Sequence, residues 1–408
     1  MRGFVSFVVL AMLAGCVHRG ATAPPHDIDH AALDTRATQL MHDAHVTGLG
    51  LAVIRDGRVV YLKGYGMRDV AQQLPMQADT VIYGASLTKA AFAYAAMGLV
   101  DGGKLAPDAS IAGMLPKPLP SYEKYADLAG DERWRKLTPR ILLNHTTGFA
   151  NFRYLQPGKD YDPNGKLMFY FDPGTRFAYS GEGINLMQFV LEEGKGMDVA
   201  TLMHDRLFSP FDMPRSSMTW RDDFGGNVAI GYDENGKALG HKKRSSVRAA
   251  GSMDTTLHDY ANLAAAMVRG DGLSPAAYKA WLAPSIRIHS VQQFPTMGMP
   301  DTKDNDGIGL GYAWGIGRFE SPDGPAFFKE GHDDGTNNYA LCLQNSRNCV
   351  LILSNSSNGE SLFKYLADAA LGPTCLPWYW DNYIPYDHPQ LRSAEARRQP
   401  HPPCGTPR

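Results

Sequence analysis

Strand-forming runs gather at the two ends of this chain, and helix-forming runs fill the stretch between them. "GLGLAVIRDGRVVYLKGYG" (residues 48–66) reads as a hairpin, two β-prone apolar runs joined at Arg55-Asp56-Gly57. At the other end "GLGYAWGIGRF", "NNYALCLQ" and "CVLILSNS" follow one another between residues 309 and 356. Between them, helical periodicity marks Ile184–Glu193 and Leu257–Arg269. Strands so far apart in sequence bury their apolar faces together only if the first pair with the last. The expected fold is therefore α+β: an antiparallel sheet built from both chain ends, flanked by helices, with a mainly helical region inserted at about 101–300. The flanking helices are expected from Asp29 to His42, with Leu33, Ala37, Leu40 and Met41 on one face, from Leu87 to the glycines at 102 and 103, and from Leu362 to Leu371.

The 408 residues suffice for a full core, and 44% hydrophobic with 20% charged content is ordinary for a soluble globular chain. A net charge of −2 gives no electrostatic reason to expect nucleic acid as a partner. "HKKR" (His241 to Arg244) reads as a solvated loop. Arg2 precedes an apolar run, Phe4 to Leu13, too short to span a bilayer and typical of a secretory signal. "LAGC" then ends at Cys16 and resembles a bacterial lipoprotein signal. Residues 1–15 are expected to be removed, Cys16 to be lipidated, and 16–28 to serve as a tether. The protein is expected on the periplasmic side of a membrane; Val17 after Cys16 favours the outer one. Cys342, Cys349, Cys375 and Cys404 form an even set, as an oxidising compartment favours. Cys342 and Cys349 flank a polar turn and suit a hairpin bridge. Cys375–Cys404 would then tie down a Pro-rich tail, 377–408, expected to wrap the surface; other pairings stay open. No CxxC and no His/Cys set with zinc spacing occurs, so neither metal nor cofactor is expected.

Three serines stand three residues before a lysine: Ser86/Lys89, Ser121/Lys124 and Ser361/Lys364. A serine hydroxyl needs a base, and a lysine one helical turn on shares its face. Such a lysine must be desolvated, or lie near another cation, to give up its proton. Ser86 fits best, because small residues precede it and an apolar, Ala-rich helix follows. Ser121 sits in a Pro-broken charged stretch, and Ser361 suits a helix cap. Two further segments carry chemistry. "DPGTRFAYSGEGINL" places Tyr179 at a turn before a helix, and "FKEGHDDGTNNYALC" places His332 in a Gly-rich turn leading into a strand.

Together with "LLNHTTGF", "AAGSMDTTLHDYA" and "LILSNSSNG", these motifs resemble the serine β-lactamase and penicillin-binding superfamily, closest to its class C-like branch. They follow that family's order from about Val46 to Leu371, so residues 29–376 are expected to form one hydrolase domain. The resemblance implies Ser86 as the acylated nucleophile and Lys89 as its proton partner. It implies Tyr179 as a base that acts alone or shares the proton with Lys89. His332 would face the pocket, and the backbone N–H groups of Ser86 and Gly335 would form an oxyanion hole. "HTTG" (His145 to Gly148) precedes Tyr179 and falls where the family has a structural loop.

Two positions depart from the family. Gly181 replaces the asparagine of its Tyr-x-Asn, with Glu182 or Asn185 as candidate substitutes. Asp333 and Asp334 follow His332, with Asp334 where a glycine is usual, and a carboxylate there would repel an acidic substrate group. The expectation is a serine hydrolase cleaving an ester, or an amide without a free carboxylate, as an esterase or D-amino-acid or cell-wall peptidase does, with weak penicillin acylation. The alternatives are a β-lactamase or DD-carboxypeptidase, and, in another class, a non-catalytic protein that binds cell-wall fragments.

Overall fold

The computed structural model describes residues 29–392 apart from 296, 298 and 299. Its main sheet has nine strands: β1 (Gly48–Arg55), β2 (Arg58–Asp69), β3 (Leu74–Pro75), β4 (Ile286–Arg287), β5 (Gly311–Tyr312), β6 (Gly317–Ser321), β7 (Gly324–Asp333), β8 (Thr336–Leu343) and β9 (Asn348–Ser354). They lie in the order β3-β2-β1-β9-β8-β7-β6-β5-β4, and every neighbouring pair is antiparallel. β1 pairs with β9 in the register Leu51↔Ile352 and Val53↔Val350, so the two ends of the chain meet mid-sheet, as the strand distribution requires.

Alternation along β1 feeds two cores. Leu49, Leu51 and Val53 join a cluster with α1 (His30–Asp43) and α5 (Phe363–Leu371), whereas Ala52 and Ile54 join one with α2 (Leu87–Asp101) and α4 (Leu257–Arg269). Every residue of α2 from Leu87 to Leu99 is buried. An Ala-rich helix without a polar face can occupy the middle of the molecule in this way. α3 (Gly181–Lys195) and α4 are stopped by left-handed glycines, Gly196 and Gly270, and start on serine and threonine caps, Ser180 and Thr256.

The inserted region holds less regular helix than its sequence suggested. Between Ile111 and Lys136 it forms four short 3₁₀ turns, where Pro116, Pro118 and Pro120 interrupt helical hydrogen bonding. The tail also differs from expectation. Trp380 and Tyr383 are buried in the cluster with α1 and α5 rather than wrapped over the surface, because their rings carry enough apolar area to complete that core. Cys342 and Cys349 face each other across β8 and β9 and are bridged. Cys375 is disulfide-bonded, while its expected partner Cys404, the signal segment 1–15, Cys16 and the tether 16–28 lie outside the described residues. Among the described residues no helix is long and apolar enough to cross a membrane.

Candidate active site

Ser86 stands at the N-terminus of α2. Gly84 is tied to the chain opposite by its N–H to the Met253 carbonyl, 2.9 Å, and Ala85 takes the left-handed φ of 45° before the helix begins. A non-glycine residue in that conformation is strained, and it turns the backbone sharply enough to leave Ser86 only half-buried ahead of a buried helix. Lys89 Nζ lies 2.7 Å from Ser86 Oγ and 2.6 Å from the Ala250 carbonyl, and the side chain is 1% exposed. Burial, and after it the Lys329 cation, pushes the Lys89 ammonium well below the ordinary lysine range. Asn185 Oδ1 accepts the Ala250 N–H at 3.2 Å, so Asn185 positions the carbonyl that holds the lysine.

Tyr179 is buried beside both lysines. The Nζ atoms of Lys89 and Lys329 lie 5.1 and 5.0 Å from its ring centre, and Lys329 Nζ donates to its hydroxyl at 3.2 Å. Burial first, then Glu330 and Tyr312, hold the phenol well above its usual pKa, against the pull of its hydrogen bond with Ser86. Burial thus disfavours the tyrosinate and favours the neutral amine of Lys89. His145 stacks behind Tyr179 at 4.4 Å between ring centres, and its Nδ1 sits 3.1 Å from the Ser180 N and O. Burial, with the two lysines, keeps its imidazole neutral. "HTTG" thus has the structural place expected of it.

The hairpin of β7 and β8 corrects the sequence reading. Lys329, not His332, is the cation brought to Tyr179. Lys329 is 2% exposed and paired with Glu330, also buried. The His332 imidazole turns to Glu360 Oε2, 3.0 Å away, and its side chain is 55% exposed. Gly335 sits at the hairpin turn, where its N–H donates to Ser357 Oγ at 2.9 Å. Gly331 instead lies against the nucleophile: a Cβ there would meet the Gly84 carbonyl oxygen at 2.7 Å and the Leu87 N at 3.2 Å. Residues 324, 326 and 328 pair with β6, which ends at the Gly317↔Phe328 pair, while the register with β8 runs on to Asp333↔Thr336. Alternation of bonded positions then leaves the N–H groups of Glu330 and His332 on an edge of β7 that no strand among the described residues covers, next to Ser86. Lys329, Glu330 and the His332 backbone were missed in the sequence. The one available signal was Lys329-Glu330-Gly331, a lysine two positions before a glycine on a strand.

The remaining candidates divide. At Gly181 a Cβ would meet the Phe152 ring at 2.6 Å, and the Gly181 N–H donates to Asn151 Oδ1 at 2.9 Å, so another segment fills the space of the absent side chain. Glu182 is held by Arg153 through Nε at 3.0 Å and Nη2 at 3.1 Å, pinning the loop after Asn151 rather than facing the site. Asp333 lies 3.7 Å from Lys242 and, with Asp334, borders a separate cavity of about 190 Å³ beside Tyr83 and Arg244. His241 and Arg244 pack on the buried Asp254, so only Lys242 and Lys243 of "HKKR" are solvated. Lys364 pairs with Asp368 at 2.8 Å and Ser361 Oγ bonds the Asn358 carbonyl, which removes the rival Ser361/Lys364 pair. Ser121 is exposed, and the Lys124 Nζ lies over the Tyr125 ring.

This arrangement can take a proton from Ser86 Oγ through Lys89, supply one from the Tyr179 hydroxyl, and offer backbone donors to an oxygen bearing negative charge. A model of the beta-lactamase family matches residues 33–372. The chain is 25% identical over 360 residues to penicillin-binding protein 4 of Amycolatopsis lactamdurans, covering 84% of this chain and 90% of that protein. It is 31% identical over 203 residues to esterase EstB of Burkholderia gladioli, covering 45% of this chain and 50% of that one. Among solved structures, the octameric penicillin-binding protein homologue from Pyrococcus abyssi superposes with a TM-score of 0.66 at 21% identity, over 85% of this chain and 78% of that one, a likeness of fold.

Proposed function

This chain belongs to the beta-lactamase family, and we propose that it is a serine hydrolase that cleaves an ester or an amide through an acyl-enzyme on Ser86. One observation carries the reading: a fully desolvated Lys89 amine 2.7 Å from a serine hydroxyl at a helix N-terminus. Neutral Lys89 takes the hydroxyl proton as Ser86 Oγ attacks the substrate carbonyl carbon. The carbonyl oxygen gathers charge against the N–H groups of Ser86 and His332. Tyr179 gives its proton to the leaving oxygen or nitrogen as that bond breaks, and Lys89 restores it. Water then attacks the acyl carbon, passing its proton to Lys89, and Lys89 returns it to Ser86 Oγ as the acyl–oxygen bond breaks, which frees the acid and restores the serine hydroxyl.

The likeness to a penicillin-binding protein and to an esterase supports both substrate types. We also propose that the protein is exported and held at a bacterial membrane, the outer one by the Val17 argument, through lipid on Cys16; labelling by radioactive palmitate that disappears in Cys16→Ser tests this. The test of activity is the intact mass of the protein after exposure to a fluorophosphonate and, separately, to a fluorescent penicillin, with Ser86→Ala as control. A fluorophosphonate adduct absent from the variant is expected. A penicillin adduct beside it would move the substrate toward cell-wall peptides, and no adduct from either would promote the binding-protein reading.

A further inference from the structure

An apolar cavity of about 220 Å³ opens directly beside Tyr179. Ala150, Leu155 and Pro157 form one wall, and Phe294 with Pro295 forms the other. Both walls are held in place. On the first, Asn151 accepts the Gly181 N–H and its carbonyl accepts that of Glu182 at 2.9 Å, while Arg153 clamps Glu182. On the second, the buried tail holds the backbone: the Gln293 N–H donates to the Trp380 carbonyl at 2.8 Å, and Asn382 Nδ2 to the Phe294 carbonyl at 3.1 Å. The polar Gln156 and Lys159 at the rim bond each other at 2.9 Å. Phe294 is nonetheless 39% exposed, an aromatic ring left in water at the edge of a hollow. A preformed apolar hollow beside reacting groups is where a substrate's apolar part binds at least cost in ordering.

Which part of the substrate it takes follows from proton transfer. In the reaction proposed above, on which this inference rests, Tyr179 protonates the leaving atom. That atom therefore lies at the Tyr179 oxygen, and whatever it carries extends into the space Tyr179 borders. We propose that this cavity is a leaving-group pocket and that the preferred substrates are esters of apolar alcohols. Its volume has room for roughly seven water-sized groups, which corresponds to an alcohol of about six carbons.

The test is kcat/KM of the full-length protein for acetate esters from methyl to octyl, set beside methyl esters of acids from acetate to octanoate. Along the alcohol series kcat/KM should rise about fourfold per methylene, the factor that burying one methylene at ~0.8 kcal/mol gives, and level off near hexyl. Leu155→Trp, which fills the cavity, should flatten the rise, and so should Phe294→Ala, which opens its outer wall. A flat alcohol series, or a steeper acid series, overturns the proposal. So does failure to cleave any of these esters by protein whose Ser86 still reacts with the fluorophosphonate. Loss of the fluorophosphonate adduct itself would instead sink the hydrolase reading.

Discussion

The imidazole and the backbone of His332 can be tested separately, because the structure gives them different work. Replacing His332 by Ala removes the ring and keeps the N–H. What is lost is a pair with Glu360 at 3.0 Å, whose side chains are 55% and 26% exposed. A pair so open to water is worth about 0–1 kcal/mol, so stability should change little and kcat should stay within a few-fold of the parent. Replacing His332 by Pro removes the N–H. That group points to the edge of β7 that no strand among the described residues covers, so no bond of the β7–β8 ladder is lost, and proline is tolerated at such positions. The loss should fall on catalysis: removing one oxyanion donor costs roughly 10²–10³ in kcat, about 2.7–4 kcal/mol. The assay is kcat on a small ester, with circular dichroism and thermal melting to show that each variant is folded. A folded His332→Pro with parental kcat would refute the assignment of the oxyanion hole. A His332→Ala that loses as much as the proline variant would show that the imidazole does the chemistry after all.

Two further outcomes are expected. The rate should rise with pH as Lys89 loses its proton, since only the neutral amine can accept one; because burial and then Lys329 lower its pKa, Lys329→Met should move this limb to higher pH, and a limb that stays in place would show that Lys329 carries no charge felt at Lys89. Arg153→Ala leaves the Glu182 carboxylate, 7% exposed, without its main partner, which should cost about 3–5 kcal/mol. Urea unfolding measures this, and adding Glu182→Gln should recover most of the loss; if the single variant is as stable as the parent, the clamp contributes nothing.

Much of this protein is determined by local pattern. Period-two runs at both ends required a sheet joining β1 to β9, and the run Leu257 to Arg269 forms a helix with those bounds. The buried, Ala-rich stretch after Ser86 marked the one serine–lysine pair that could be desolvated, and Cys342 and Cys349 flank their turn in sequence as they do in space. These features depend on neighbours a few residues apart, so periodicity carries them. The pairing of Ser86 with Tyr179, 93 positions on, was reached only through the resemblance of several motifs taken in order.

The register of β7 was decided by tertiary structure alone. In "FKEGHDDG" polar residues run together, so no apolar alternation says which of them face α2, and a slip of one residue exchanges the two faces. The decision lies in contacts from distant segments: Gly331 against Gly84, the Gly335 N–H on Ser357, and Lys329 on Tyr179. The same holds for Asn151 and Phe152 in the space beside Gly181, and for the aromatic tail buried behind Phe294. In each case the chain supplies the side chain, but its place depends on which remote surface has room for it, and that is known only once the whole chain has packed.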